Sequence, residues 1–276
     1  MSPRKHEILQ GSEAELSRLT RDLDQMHRDE SLPALQASVS SWTEAIRDER
    51  AAESRVNRGR RTFLLGAGAV AGAAALAACG SNNKTTGSTS TSSSTASSTT
   101  LSTADMQQVS VDASLENLAV YAYGAVLTAA GQGKYGTVPP AVATFVTTAK
   151  GQHADHAAAW NAILTGAGGK ANTANDAALV PTVNSGFAAA TTLPAVVNLA
   201  LTLEGIAAAT YQVGAANFAF HMAATTAATI MPVEMQHMAI LYFVIGKYPG
   251  FLDSSGNPLG FSTVASARTT SDYAAS

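Results

Sequence analysis

The sequence has little cysteine, few charged residues and no glycine-rich catalytic or phosphate-binding motif. Each of these shortages argues against a class of protein. Cys79 is the only cysteine in 276 residues, so no disulfide can form within the chain and the thiol needs another explanation. Charged residues make up only 13% of the chain and the net charge is −3, which leaves no basic face for nucleic acid. Because no phosphate-binding glycine loop or nucleophile elbow occurs either, we expect neither a nucleotide enzyme nor a conventional hydrolase.

Charge is concentrated in the first part of the chain. Residues 1–79 hold 11 of the 17 Lys and Arg and 11 of the 20 Asp and Glu. After Cys79 only three glutamates and four histidines remain, in stretches that are otherwise rich in alanine and valine. Because ionised carboxylates are rarely buried without a partner, we expect these acids to meet imidazoles inside the fold.

Residues 1–57 are predicted to form a helical hairpin on the cytoplasmic side. Apolar residues recur at alternating steps of three and four in two arms, from Leu9 to Met26 and from Leu32 to Ile46. Three interpretations are open: a self-packed hairpin, a docking surface for a cytoplasmic partner, or a protein that starts later, at Met26.

Residues 58–79 are typical of a twin-arginine export signal. Arg60 and Arg61 precede an uncharged Ala/Gly-rich stretch that is shorter and less apolar than a membrane span. Its end, Leu76-Ala77-Ala78-Cys79-Gly80, resembles the lipobox of bacterial lipoproteins, in which Cys79 would carry lipid. We therefore expect the twin-arginine export machinery and membrane lipid as partners. The bundle would lie on the outer face of the cell membrane or in the periplasm or cell envelope, and an uncleaved signal anchor is the alternative.

Residues 80–103 and 249–276 are low in apolar side chains. The first stretch is nearly all Ser, Thr, Gly and Asn, which cannot bury enough apolar surface to offset the entropy of ordering. We expect a flexible tether at 80–103 and a tail at 249–276 that wraps the surface of the intervening domain, residues 104–248.

Four helices are predicted within residues 104–248. They cover about 105–130, about 140–164, about 194–216 and about 220–246, between turns rich in glycine and proline. A connection at roughly 166–192 without sustained periodicity separates the second helix from the third. Long helices joined in this way predict an all-α, up-down four-helix bundle with a long crossover between helices two and three.

The four helices carry an internal repeat. Residues 115–123 and 203–211 both read Leu-Glu-x-(Leu/Ile)-Ala-x-x-x-Tyr, and residues 153–158 and 234–239 share a histidine followed two positions later by alanine. Two related hairpins about a pseudo-two-fold axis would bring equivalent residues to one centre. Residues three apart share a helix face, so six side chains are expected to converge around metal: Glu116, His153, His156, Glu204, Glu234 and His237.

The joint order of these motifs resembles the ferritin-like superfamily. Residues 199–204 and 232–239 are similar to its branch of desiccation-related and exported bacterial proteins. The resemblance implies a ferritin-like bundle that binds one or two metal ions. It also implies two terminal glutamates, one imidazole for each metal and a bridging glutamate: Glu116 and Glu204, His156 and His237, and Glu234.

His153 departs from the family pattern, which has a glutamate at this position. A neutral or cationic imidazole does not bridge two metals as a carboxylate does, so the second bridge is missing and redox di-iron chemistry does not follow from the resemblance. Three imidazoles with three carboxylates shift the preference toward zinc, copper or nickel. The sequence leaves the ion open, with iron, zinc and manganese as candidates.

Tyr123 and Tyr211 each lie seven residues after a predicted ligand, two turns along the same helix face. They are expected to support a ligand through a hydrogen bond, to serve as redox-active phenols, or to fill the core with the hydroxyl satisfied. The predicted function is an exported, membrane-anchored metal-binding protein with metal-handling or oxidase activity. The alternative is a non-catalytic envelope interaction or stress-protection scaffold with a metal-free polar core. Catalysis and a homo-oligomeric state are left open.

Overall fold

The described parts of the chain, residues 13–66, 101–246 and 266–270 of a computed structural model, are built from helices. Two helices and a π-helical segment precede the bundle: α1 (Glu13–Met26), the π segment (His27–Ser31) and α2 (Leu32–Gly66). Five helices follow: α3 (Thr103–Gly131), α4 (Pro140–Gly166), α5 (Val180–Ala189), α6 (Leu193–Asn217) and α7 (His221–Val244).

Helices α3, α4, α6 and α7 form the predicted four-helix bundle. Helix α3 packs along α4 and α6 packs along α7, and a short connection joins the helices of each pair. The crossover between α4 and α6 is much longer. The predicted all-α fold and its long crossover are therefore confirmed.

Local sequence signals explain where the bundle helices begin and end. The hydroxyl of Ser102 accepts a hydrogen bond from the Asp105 amide at 3.0 Å and caps α3, while Thr192 caps α6 in the same way. Gly133 follows the end of α3 with φ of +76°, a backbone conformation that glycine adopts without strain. The two hairpins are also joined at one end, because the Asp105 carboxylate accepts a hydrogen bond from the Phe220 amide at 3.1 Å.

The crossover contains a helix that the sequence did not predict. Asp176 accepts hydrogen bonds from the amides of Ala178 and Leu179 just before α5. Val183 in α5 is fully buried against α3. The same Asp176 carboxylate pairs with Arg268 at 3.0 and 3.1 Å, so the described part of the C-terminal tail lies on the crossover.

The predicted hairpin within residues 1–57 is wrong for the residues that the structure describes. Helix α1, the π segment and α2 form one continuous helix, since both junction residues, Met26 and Leu32, have helical φ and ψ angles. The apolar stripe that suggested two mutually packed arms faces the bundle instead, against α4 and α7. The N-terminal helix is therefore a fifth helix that packs on one side of the bundle.

The π segment keeps the buried face of this helix in register. Leu16 and Leu23 are seven residues apart, as are Leu35 and Trp42, and all four are buried. Buried His27 and Leu35 are eight residues apart, one more than two α-helical turns span. A π turn accommodates the extra residue, so both halves of the helix face the bundle.

Several predicted segments lie outside the described residues. These include Cys79, the tether, most of the C-terminal tail and the side chains of Arg60 and Arg61. Their assignments stay predictions. Among the described helices, α6 is long and apolar enough to cross a membrane by length and composition, yet half of its apolar stretch is buried inside the bundle.

Candidate metal centre

The six predicted site residues meet in the middle of the bundle. Each of the four bundle helices contributes at least one of them, and every one is at most 2% exposed. They form two overlapping groups, in each of which one ligand atom per residue lies within 4.8 Å of the others. The first group is Glu116, His153, His156 and Glu234, and the second is His153, Glu204, Glu234 and His237.

The first group lies between α3, α4 and α7. Nδ1 of His156 is 3.5 Å from Oε1 of Glu116 and 3.0 Å from Oε1 of Glu234. Nδ1 of His153 is 2.7 Å from Oε2 of Glu116. Two imidazole nitrogens and two carboxylates thus converge on one point.

The second group repeats this arrangement between α4, α6 and α7. Nδ1 of His237 is 3.4 Å from Oε2 of Glu204 and 3.4 Å from Oε2 of Glu234. Nε2 of His153 is 3.3 Å from Oε1 of Glu204. The second group therefore offers the same donor atoms as the first.

Glu234 and His153 are the residues common to both groups. Oε1 of Glu234 faces the first group and Oε2 faces the second. The ring of His153 likewise places Nδ1 in the first group and Nε2 in the second. His153 therefore spans the position of the missing carboxylate with two separate nitrogens.

Two tyrosines support the glutamates across the pseudo-two-fold axis. The hydroxyl of Tyr211 on α6 donates a hydrogen bond to Glu116 on α3, and the hydroxyl of Tyr123 on α3 donates to Glu204 on α6. The structure shows both core packing and a hydrogen bond to a candidate ligand, since both rings are buried in the apolar core and each hydroxyl bonds to a glutamate of the site. The partner lies on the opposite hairpin, which the sequence spacing could not show.

Three polar residues around the site were missed by the sequence analysis. Nε2 of His237 donates to Oε1 of Gln152 at 2.8 Å, which turns Nδ1 toward the carboxylates of Glu204 and Glu234. Asp112 is buried one turn before Glu116, and burial raises the pKa of its carboxyl. Both Gln152 and Asp112 lie four residues before a predicted ligand, so their position on the ligand-bearing face was the available signal.

His27 is the third missed residue, and it reaches the site from the N-terminal helix. It is 2% exposed, and its ring centroid is 5.4 Å from that of His156. Burial and the neighbouring imidazoles lower the pKa of His27 to about 4, so the ring is neutral near pH 7. The predicted hairpin gave no reason to bring this residue to the bundle.

The carboxylates of the site favour the protonated form of the imidazoles. Burial lowers the pKa of each imidazole, but the carboxylates outweigh it and raise the pKa of His156 to about 9 and that of His153 well above its usual value. Burial raises the pKa of Glu116, but the imidazoles more than offset this and bring it to about 2. Metal binding would have to displace the protons of these imidazoles.

Some buried polar atoms of the site have no hydrogen-bond partner, so protonation of the imidazoles does not give every ligand atom a partner. Both carboxylate oxygens of Glu234 and both ring nitrogens of His156 lack a hydrogen bond within the described residues, although both side chains are fully buried. The 3.0 Å contact between these two residues does not have hydrogen-bond geometry. A buried polar atom without a partner costs about 1–3 kcal/mol, and a metal ion would remove that cost. The donor set therefore fits a divalent metal.

A small cavity opens beside the site on the α3 and α6 side. Its volume is about 30 Å³, room for about one water molecule. Glu116, Tyr123, His153 and Glu204 line it together with apolar side chains, including Phe187 of α5. The cavity therefore leaves room for a molecule about the size of water next to Glu116 and Glu204.

The fold and the site together define a class: four-helix bundles that hold carboxylate and imidazole ligands at their centre. The sequence pattern of the ferritin-like domain matches residues 104–247, just over half of the chain and nearly all of the bundle. The chain belongs to the ferritin-like domain family. No curated protein and no solved structure matches the chain.

Proposed function

We propose that the protein binds one or two divalent metal ions at the centre of the bundle. One ion would be held by Glu116, His156, His153 and Glu234, and the other by Glu204, His237 and the same two shared residues. The observation that carries the proposal is the full burial of Glu234 and His156 without hydrogen bonds to their polar atoms. Membership of the ferritin-like family supports it.

The surrounding residues would fix the ligands in place. The tyrosine hydroxyls orient Glu116 and Glu204, and Gln152 holds His237 with Nδ1 toward the centre. When bound, the metal would supply a Lewis acid or a redox centre. The cavity beside Glu116 and Glu204 would hold a molecule about the size of water next to the metal ligands. These features support metal handling or a metal-dependent oxidation.

Metal content is the test of this proposal. The full chain, purified without chelator, is expected to carry one or two equivalents of metal by elemental analysis. Glu234→Gln should remove most of it because both groups lose a carboxylate, whereas exposed Glu44→Gln should leave it unchanged. Substoichiometric metal that Glu234→Gln does not alter would contradict the proposal.

A second candidate is a scaffold with a metal-free polar core. The contacts between imidazoles and carboxylates favour it, because each imidazole already lies within 3.4 Å of a buried carboxylate without metal. The two candidates differ in their response to chelators. A scaffold keeps the same melting temperature after chelation, whereas loss of a bound metal lowers it.

Export and lipid anchoring are a separate part of the proposal, supported by the sequence around Arg60, Arg61 and Cys79. The twin-arginine route and membrane lipid would be the partners, and the bundle would lie outside the cytoplasm. Cys79→Ser should move the protein from the membrane fraction to the soluble fraction. Arg60→Lys with Arg61→Lys should leave the unprocessed chain in the cytoplasm. An unchanged distribution of both variants would exclude this route.

A further inference from the structure

The N-terminal helix covers the side of the bundle formed by α4 and α7. Leu16 and Leu23 join the same apolar cluster as Phe145 of α4 and Val233 of α7. Leu35 and Trp42 join a second cluster farther along, with Phe220 and Ile230. The two apolar contacts lie on either side of the π segment along the helix.

The π segment places His27 directly over the metal centre. Nδ1 of His27 is 4.0 Å from Oδ2 of Asp155, and its ring packs against His156 at an angle of 53°. Nε2 of His27 and Nε2 of His156 both lack a hydrogen bond in the described residues. Met26 also contacts Gln236 of α7. The helix therefore closes the edge of the site that α4 and α7 would otherwise expose.

The N-terminal helix packs closely against the bundle around Trp42. The ring of Trp42 lies edge-on to Phe220, with centroids 5.2 Å apart, and is 5% exposed. A Cβ atom added at Gly166, the last residue of α4, would overlap the Trp42 ring. The absence of a side chain at this position is what allows the tryptophan to approach.

We propose that residues 13–46 are a cap that controls exchange of metal between the centre and solvent. Leucine and tryptophan contacts hold the cap, and His27 closes the centre at its middle. The inference rests on the proposed metal site. It also links to the predicted export signal, because the cap precedes Cys79 and a chain beginning at that cysteine would lack it. Metal loaded before the cap docks would then be retained, and loss of the cap would make the centre accessible.

Docking of the cap can be measured without metal. The chain has two tryptophans, so Trp160→Phe leaves Trp42 as the only one. In that background, Leu16→Asp with Leu23→Asp should expose Trp42 to acrylamide quenching and shift its emission to longer wavelength. Gln25→Asp, at an exposed position of the same helix, is the matched control and should change neither. A quenching constant that the double variant leaves unchanged would show that these leucines do not hold the cap and would overturn the proposal.

Control of exchange is measured on the full chain loaded with Zn²⁺ alone. Transfer of zinc to excess chelator should be about tenfold faster or more in the Leu16→Asp, Leu23→Asp variant. Burial of each leucine favours the docked over the undocked helix by about tenfold or more. The Gln25→Asp control should match the original chain. Equal rates in zinc-loaded chains overturn the cap alone, whereas a chain that takes up no zinc overturns the metal site as well.

A change on the bundle side tests the same contact from the other partner. Gly166→Val should displace Trp42 and accelerate zinc loss as the leucine substitutions do. Gly151→Val on the same helix is the control, since a Cβ there meets no atom within 4 Å. Zinc loss from Gly166→Val as slow as from the control would contradict the cap.

Discussion

Two residues, Glu234 and His153, decide how the two halves of the centre are joined. Glu234 turns one carboxylate oxygen toward each group, and His153 turns one ring nitrogen toward each. The carboxylate can join two ions closely, whereas the imidazole donates through nitrogens on opposite sides of a ring. His153 is therefore the residue that most distinguishes this centre from the family pattern.

His153→Glu should change the metal preference of the centre. A fourth carboxylate replaces a nitrogen donor, so affinity for manganese relative to zinc should rise by roughly tenfold, as oxygen ligands favour the harder ion. Competition between the two metals for the full chain measures this ratio. His221→Glu, at an exposed position of α7, is the control and should leave the ratio unchanged. An unaltered ratio in His153→Glu would show that His153 is not a ligand.

Tyr211→Phe should weaken metal binding without removing a ligand. The variant keeps the buried ring but frees Glu116 from its hydrogen bond, and loss of such support typically costs about tenfold or more in affinity. Zinc titration of the full chain gives the affinity. Tyr121→Phe is a fitting control, because its hydroxyl bonds to Asn184 at the exposed surface. Equal affinities in the two variants would exclude a role for Tyr211.

The metal-free protein should lose stability as the pH rises from about 6.5 through about 9. The pKa of His156 is raised from 6.5 to about 9 in the fold, so its protonation stabilises the folded state below the lower value and this contribution is lost through the higher one. With metal bound the imidazoles are neutral ligands, and the loss should largely disappear. Melting temperatures across this pH range, with chelator and with zinc, measure the difference. Parallel curves would contradict metal ligation by these histidines.

The six central residues could be predicted from sequence because they are scarce and repeated. Glu116 and Glu204 stand in matching motifs, and the only three glutamates after Cys79 all belong to the set. His27 could not be predicted in the same way, because its position depends on a contact between segments far apart in sequence. The crossed hydrogen bonds of Tyr123 and Tyr211 likewise depend on how the hairpins face each other.

At the scale of helices, an apolar stripe shows which face of a helix is buried. It does not show which other helix that face packs against. The four long bundle helices were predictable from their length and from the glycine and proline turns between them. The N-terminal stripe suggested a hairpin because two arms with similar periodicity can pack on each other, but α4 and α7 offer the surface that is used. Helix α5 was missed because it spans ten residues, too few to establish a helical period.

Asp176 connects the start of α5 with the C-terminal tail, and its loss should destabilise the fold. Asp176→Ala removes the hydrogen bonds to the amides before α5. It also removes the carboxylate that pairs with the guanidinium of Arg268. We expect the free energy of unfolding to fall by about 2 kcal/mol. Urea denaturation of the full chain measures it. Asp48→Ala, an exposed position of α2, should change it little, and equal values for both variants would contradict the role of Asp176.

For the whole molecule, the arrangement is a bundle whose centre is covered on one side by the N-terminal helix and adjoins a small cavity on the other. The cavity lies on the α3 and α6 side, and the N-terminal helix covers the α4 and α7 side. The centre between them is inaccessible to bulk solvent, with candidate ligands 0–2% exposed. If the proposed cap controls exchange, metal ions would reach the centre on the side where the N-terminal helix docks.

The most direct test of the central claim is anomalous diffraction from crystals of the full chain grown with Zn²⁺. We expect one or two strong zinc peaks in the bundle centre. One would lie about 2.0–2.2 Å from atoms of Glu116 and His156, and the other at the same distance from Glu204 and His237. Crystals with zinc bound elsewhere and no anomalous density among these residues would contradict the account.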